Sequence, residues 1–227
     1  MSGFPLVDQY IGVRLDADVA ALIPGEPVVV ESDRRLRPEQ SYGFVHALWG
    51  IWFEDGRAVV SVPPGARDGV VKVLSSVQAA DGCFDQAWLQ RLKVPVDGAL
   101  RRAGLPAIHN ERDTMCFACN AASLRLHSYG DCRRLFDESI PPVEGLCLPT
   151  HCFPDGIVYG VVEQTGVVAV AFAHRGGVME DQVADVGVET AEAYRQRGYG
   201  KTVVSTVAAH ATQSGGEGVY SHLSVIF

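Results

Sequence analysis

The sequence has neither a long apolar segment nor a targeting signal. No run of apolar residues approaches the roughly 20 that a helix needs to cross a bilayer. The opening residues, MSGFPLVDQY, lack both the basic start and the apolar centre of a secretory signal peptide. These absences argue against a membrane-spanning or secreted protein, and we expect a cytoplasmic one.

Positive charge is also scarce. The 227 residues include 19 lysines and arginines against 27 aspartates and glutamates, for a formal net charge of -8. This balance argues against a nucleic-acid-binding surface, which needs a basic patch. Hydrophobic residues make up 47% and charged residues 20% of the chain, as in ordinary globular domains. The length fits one large domain or two small ones.

A second Cys-x-x-Cys pair is absent. Cys116 and Cys119 have the spacing of a zinc-binding pair, and Cys147, His151 and Cys152 could complete a site. Because cysteine often serves as a small buried apolar side chain, we predict no metal. The alternative, a zinc-held interaction module, depends on these cysteines alone. Disulfides are not expected in a cytoplasmic chain.

The stretch from Val183 to Gly216 predicts a strand, a basic glycine-containing loop and a helix. Alternation over residues 183–190 predicts the strand. Residues 201–213 carry apolar side chains at helical spacing, and the pair Gly215-Gly216 ends that helix. The loop between strand and helix contains the sequence RQRGYGK.

That loop places cations where a helix disfavours them. A helix start exposes unpaired N–H groups and the positive end of the helix dipole, so each cation there costs roughly a few tenths of a kcal/mol. Arg195, Arg197 and Lys201 nevertheless surround this start in an acidic protein. A bound anion would explain them, with Gly198 and Gly200 letting the backbone approach it. The alternative is a solvated basic turn.

Arg195-x-x-Gly198-x-Gly200, between a strand and a helix, resembles the acetyl-CoA pyrophosphate loop of the GCN5-related N-acetyltransferase (GNAT) superfamily. The preceding phrase, Gly187-Val188-Glu189-Thr190 followed by Tyr194-Arg195, is similar to bacterial members. The resemblance covers roughly residues 140–222.

The resemblance implies an α/β (α+β) fold with a mixed, mostly antiparallel sheet flanked by helices. It also implies transfer of an acetyl group from the co-substrate acetyl-CoA to a primary amine of a small molecule or peptide, by direct attack. The alternative is a non-catalytic relative that binds CoA or a protein partner.

Individual residues receive roles from the same resemblance. Glu189 or Asp185, which share one strand face with Gly187 between them, would be the base that deprotonates the amine. Tyr220 and His222, on the strand after the helix, are lesser catalytic candidates. The cofactor-binding candidates are Val188, Thr190, Arg195, Gln196, Arg197, Gly198, Tyr199, Gly200 and Lys201.

Residues 1–110 are predicted to form a separate N-terminal α/β extension. A strand is expected at 27–31, and a hairpin is formed by 51–53 and 58–62 around a Glu-Asp-Gly turn. The extension could shape the substrate site, mediate dimerisation or be a degenerate copy of the second half, although no sequence period supports a copy. Helices are expected at 16–23, 38–48, 66–78, 85–92 and 96–103.

Residues 111–227 are predicted to form the acetyl-CoA-binding domain. Strands are expected at 115–120 and 123–126, with a helical turn at 132–136. Residues 157–163 and 167–173 predict a tight hairpin, and the uninterrupted run VVAVAFA predicts a strand buried on both faces.

The last predicted strand, residues 218–225, needs a covering partner. In the superfamily this strand is followed by a helix and two more strands, whereas the sequence stops at Phe227. We therefore expect a domain that lacks these elements and presents an apolar edge with unpaired N–H and C=O groups. Such an edge is predicted to pair with a second subunit, forming a homodimer, or to be covered by the N-terminal half.

Overall fold

The computed structural model describes residues 3–38, 45–76, 86–108, 114–154, 156–173, 182–213 and 215–223. The chain forms two compact units, one made of Asp8–Arg112 and the other of Ser2–Val7 with Asp113–Phe227. No sequence pattern predicts the first helix, α1 (Pro5–Leu15), because its apolar residues are not confined to one stripe. Within the described ranges, no helix is both long and apolar enough to cross a membrane.

The first unit contains a three-stranded sheet with two helices packed on it. The predicted strand and hairpin are confirmed as β1 (Val28–Glu31), β2 (Trp49–Trp52) and β3 (Ala58–Val62). Strand β3 is central, with β1 parallel and β2 antiparallel to it. Helices α2 (Arg67–Ser75) and α3 (Gln86–Arg102) pack with this sheet. Its core includes Val60, Val62, Val70, Leu92, Val96 and Leu100.

Helix α3 corrects the prediction of two shorter helices. Pro95 lies inside one continuous helix, although proline in a helix interior costs about 3 kcal/mol. The apolar stripe continues across it, because Leu92 and Val96 are both buried. Pro95 also packs against Gly69 of α2, where an added Cβ would lie 2.5 Å from the proline Cβ. Core burial and close helix packing thus offset the free-energy cost of a proline inside the helix.

Two other predicted helices of this unit are not formed as expected. Residues 16–23 contain only a short 3-10 turn, Val19–Ala21. The helix expected at 38–48 falls mostly outside the described residues. At its ends, Pro38 and Val45 form an isolated antiparallel bridge, so the backbone there is extended rather than helical.

The second unit contains a six-stranded sheet with one long helix against it. Among its described strands, only β8 and β9 are parallel to each other, and α4 (Tyr199–Thr212) connects them. This mixed, mostly antiparallel sheet with flanking helices confirms the predicted fold class. The strands, in the order β4-β9-β8-β7-β6-β5 across the sheet, are β4 (Thr114–Cys119), β5 (Asp131–Arg134), β6 (Ile157–Glu163), β7 (Gly166–Ala173), β8 (Val183–Thr190) and β9 (Glu217–Leu223).

Strand β7 lies between two apolar clusters, as its uninterrupted run predicts. On the α4 side, Ala169 and Ala171 pack with Val203 and Val207 of the helix. On the other face, Val170 packs in a cluster with residues of the segment before β6. The centre of the sheet is therefore packed on both faces, and this packing fixes the positions of β8 and α4 relative to each other.

Two local predictions in this unit are wrong. The helical turn expected at 132–136 is strand β5, which pairs antiparallel with β6. The strand expected at 123–126 is replaced by a turn followed by extended chain. The Asn120 side-chain oxygen accepts hydrogen bonds from two following N–H groups, which favours the turn over a strand.

The predicted open edge of the last strand is also wrong. Strand β4 pairs antiparallel with β9, from Thr114 opposite Leu223 to Cys119 opposite Gly218. The partner comes neither from a second subunit nor from residues 1–110, so this edge supplies no argument for a homodimer. Residues 224 and 225 of the predicted strand lie outside the described residues.

Candidate functional site

The basic loop joins β8 to α4 through two turns. After Thr190 the chain forms a 3-10 turn, Glu192–Tyr194. Gln196 and Gly198 then adopt left-handed backbone conformations, with φ of 61° and 82°. Gly198 is the N-cap of α4 and makes this turn without the steric cost that a Cβ would carry.

The N-terminus of α4 has the donors and charge that an anion needs. Gly198 provides no side chain to cap the first-turn N–H groups, and the helix dipole is positive at this end. The side chains of Arg195, Arg197 and Lys201 are exposed around it. The charge and the free donors at this end of the helix therefore favour an anion.

The two glycines of the loop allow close packing within the protein. A Cβ on Gly198 would lie 2.6 Å from the ring of Tyr129, and one on Gly200 would lie 3.2 Å from Thr190 Oγ1. The first contact was not predicted, because Tyr129 is distant in sequence. The glycines thus bring α4 close to β8 and to the segment that contains Tyr129.

That segment crosses α4 before entering β5. The N–H of Tyr129 donates to Thr202 Oγ1 (2.9 Å), and the N–H of His127 donates to Ser205 Oγ (3.1 Å). Two side-chain hydroxyls of the helix thereby accept hydrogen bonds from backbone N–H groups of this irregular segment. The Tyr129 ring is held beside the loop and remains 49% exposed.

The two loop arginines have different surroundings. Arg195 donates from Nε to the carbonyl oxygen of Thr190 (3.3 Å). Arg197 donates to the carbonyl oxygen of Ala193 (3.1 Å), and its guanidinium lies over the Tyr194 ring, 5.0 Å from the centroid. Arg197 is therefore engaged on two sides by the loop itself.

Two tyrosines tie the loop to the turn between β6 and β7. The Tyr199 hydroxyl donates to Glu163 Oε1 (2.6 Å), and the Tyr194 hydroxyl lies 3.2 Å from Thr165 Oγ1. The hydrogen bond to the Glu163 carboxylate raises the pKa of Tyr199, and Arg197 partly opposes this effect. Tyr199, predicted as a cofactor ligand, thus directs its hydroxyl to the protein.

Strand β8 is paired with β9 over only its first half. Residues Val183–Val186 pair with β9, ending at Val186 opposite Tyr220, and residues 186–190 pair with β7. Strand β9 continues to Leu223, yet in the described pairing residues 187–190 have no partner on it. The two parallel strands therefore separate on the side that leads into the basic loop.

The candidate carboxylates lie on the face of β8 opposite α4. Val186 and Val188 contribute to the cluster under α4, so by strand alternation Asp185 and Glu189 point to the other face. Gly187 lies between them, and a Cβ there would be 2.5 Å from the Phe172 ring. Glu189 is in the separated part of β8, whereas Asp185 is in the part still paired with β9.

Tyr220 occupies the last position at which β9 pairs with β8, with Phe117 of β4 on its other side. His222 lies beyond that position, opposite Met115. The side chains of Tyr220 and His222 are outside the described residues, so their strand positions alone are established.

The cysteines whose side chains the structure describes, Cys119, Cys132, Cys147 and Cys152, are separate free thiols in the second unit. Burial raises the pKa of the Cys152 thiol to about 11, and desolvation also raises the pKa of Cys119 and Cys132. Over the described ranges, no group of at least three His, Cys, Asp or Glu side chains could hold a metal ion. The buried Cys152 thiol therefore fits a packing role better than a nucleophilic one.

Comparison with known proteins finds similarity at the level of structure. No family model and no curated protein matches the chain. A GCN5-related N-acetyltransferase from Kribbella flavida is 17% identical, with a TM-score of 0.37, over 47% of this chain and 47% of that one. A GNAT-family acetyltransferase from Colwellia psychrerythraea is 14% identical, with a TM-score of 0.37, over 56% of this chain and 53% of that one.

A third structure, described as a GNAT-family acetyltransferase from Novosphingobium aromaticivorans, is 17% identical over 52% of this chain and 65% of that one, with a TM-score of 0.36. The chain thus spans less than two thirds of the length of each of these structures.

Proposed function

We propose that the second unit binds acetyl-CoA and transfers its acetyl group to a primary amine of a small molecule or peptide. The observation that supports this most strongly is the separation of β8 from β9 beyond Val186, directly before the loop at the α4 N-terminus. One continuous path thereby joins an open strand edge to an anion-binding helix end.

Each part of that path matches a part of the cofactor. The first-turn N–H groups of α4, with Arg195 and Lys201, would bind the diphosphate. The open edge of β8 at Val188–Thr190 presents backbone N–H and C=O groups, which would pair with the amides of the pantetheine arm. Acetyl-CoA supplies the activated acyl group when bound, while the chain positions it.

The acceptor amine must lose a proton before it can attack, because an ammonium group has no free electron pair. Glu189 is the better candidate for this base, since it lies on the separated part of β8, whereas Asp185 is opposite Val219 where the strands are still paired. Tyr220, at the last paired position of β9, would be the proton donor to the departing thiolate.

Calorimetry with CoA and a thiol-release assay with acetyl-CoA over a panel of amines would test this function. Binding together with amine-dependent release of free thiol is the expected result. Binding without release from any amine would favour the non-catalytic CoA-binding relative. Absence of CoA binding would overturn the proposal.

The homodimer and the cytoplasmic location stay predictions. Light scattering over a range of protein concentrations measures the first, and cell fractionation measures the second. A monomer at all concentrations would contradict the dimer without affecting the cofactor site, which is built from residues of one chain.

A further inference from the structure

The basic loop is fastened at both ends to the same hairpin turn. Tyr194 lies directly before Arg195, and its hydroxyl is 3.2 Å from Thr165 Oγ1. Tyr199 is the first residue of α4, and its hydroxyl donates to Glu163 Oε1 across 2.6 Å. We call these four residues the tyrosine clasp. The contacts join segments 29 and 36 residues apart in sequence, so they fix the loop against the sheet rather than against itself.

Packing around Tyr199 supports the same arrangement. Gly130, at the end of the segment that crosses α4, has no Cβ, and an added one would lie 2.8 Å from Val161 and 3.1 Å from the Tyr199 ring. The ring is thus confined between Gly130 and the hairpin while its hydroxyl bonds to Glu163. A carboxylate acceptor makes this hydrogen bond stronger than a neutral one.

Arg197 contacts the clasp through the Tyr194 ring. Its guanidinium lies over the Tyr194 ring and donates to the Ala193 carbonyl oxygen. In the described part of the chain, Arg195 has one side-chain hydrogen bond, from Nε to Thr190. The two arginines, both of which the sequence offers as cofactor ligands, are therefore not equivalent in the structure.

We propose that the tyrosine clasp holds the loop in its anion-binding conformation before the ligand arrives, with Arg197 as a positioning residue of the clasp and Arg195 as a phosphate ligand. This inference rests on the proposed CoA site. A loop held in advance does not lose conformational freedom on binding, so the ligand binds more tightly. Tyr199 acts through the loop and is likewise a positioning residue.

Two measurements on the ligand-free and CoA-bound protein test the clasp. We expect Tyr199→Phe to weaken CoA binding by about three- to tenfold in calorimetry, and to speed hydrogen exchange over residues 190–203 in the free protein. Tyr159→Phe is the matched control, because it removes a hydroxyl that contacts His210 near the other end of α4 (3.2 Å). The control should change neither quantity.

Substitution of the acceptor separates positioning from general destabilisation. Glu163→Ala should reproduce the effect of Tyr199→Phe. Glu163→Gln should keep much of the CoA affinity that Glu163→Ala loses, because the amide oxygen still accepts a hydrogen bond from the Tyr199 hydroxyl. In the double variant Tyr199→Phe/Glu163→Ala, the second change should add little to the first. Additive losses would overturn the clasp.

The arginines are distinguished by salt. Arg195→Gln should reduce CoA affinity more at low than at high ionic strength, as loss of a screened phosphate contact does. Arg197→Gln should give a loss that does not depend on salt. Equal salt dependence in both variants would overturn the division of roles. If the unsubstituted protein does not bind CoA, the proposed function fails, while the exchange measurements still decide whether the clasp orders the loop.

Discussion

The two halves of strand β8 differ in their pairing with β9 and in exposure. Val183–Val186 pairs with β9, and both terminal valines of that half are buried. Residues 187–190 pair with β7, leave the edge toward β9 open and are only partly buried. One strand thus contributes core packing in its first half and, in the proposed site, ligand contacts in its second.

This difference predicts which substitutions in β8 the fold tolerates. In the first half, side chains are packed on the α4 side, so a smaller residue leaves a cavity. In the second half, the groups proposed to act are the Glu189 carboxylate and backbone atoms, which carry little of the packing. Loss of stability and loss of activity should therefore separate along one strand, within a few residues of Val186.

The largest expected effect comes from the second half. Glu189→Gln should lower turnover by about 100-fold or more, the usual loss of a general base, while CoA affinity stays unchanged and stability shifts by less than about 0.5 kcal/mol. Asp185→Asn, on the same face but in the paired half, should reduce turnover far less. If Asp185→Asn is the more damaging change, the two halves do not divide as proposed.

Val186→Ala should produce the opposite result at the position where the halves meet. Val186 is 3% exposed and packs in the cluster with Val203 and Val207, so truncation should cost roughly 2 kcal/mol of unfolding free energy. Urea unfolding measures this cost, and the folded fraction should still bind CoA normally. A change below about 0.5 kcal/mol would show that the first half is not under packing constraint.

Gly200→Val tests the contact between the second half and the loop. The added Cβ would lie 3.2 Å from Thr190 Oγ1, and its methyl groups would push the first turn of α4 away from β8. We expect CoA binding to weaken by about tenfold or more, equal to about 1.4 kcal/mol, in a chain that remains folded. Adding Thr190→Ala should recover part of the loss. Unchanged CoA affinity in calorimetry would mean that the loop does not contribute to the CoA site.

Local patterns in the sequence predicted the elements that carry this comparison. The alternation of β8, the uninterrupted run of β7 and the apolar stripe of α4 each lie within one segment, and each element is found where expected. Burial on both sides of β7 followed from its composition alone. These are features that neighbouring residues determine.

Features that depend on distant residues were not predictable in the same way. Strand β4 covers β9 across a long sequence separation, and Tyr129 reaches the helix 73 residues later. No periodicity records such pairings. The motif likewise contains no information about the Glu163 carboxylate that the Tyr199 hydroxyl contacts, and Tyr199 as a cofactor ligand stays a prediction.

The smallest expected effect concerns the face of the sheet away from α4, where Cys152 packs with Val158 and Val170. Burial raises the pKa of this thiol to about 11, from a usual value of 9.0. The folded state therefore favours the neutral thiol. The resulting stabilisation is fully present below about pH 9 and is lost as the pH rises toward about 11.

Exposed Cys147 gives the matched comparison for the buried Cys152 thiol. At pH 8, a thiol-alkylating reagent should modify Cys147 in the folded protein and leave Cys152 unmodified, as read by peptide mass spectrometry. Cys152→Ala should remove part of the decline in unfolding free energy above pH 9, whereas Cys147→Ala should leave it unchanged. Equal alkylation of both thiols in a fully folded sample would mean that the packing around Cys152 does not protect its thiol.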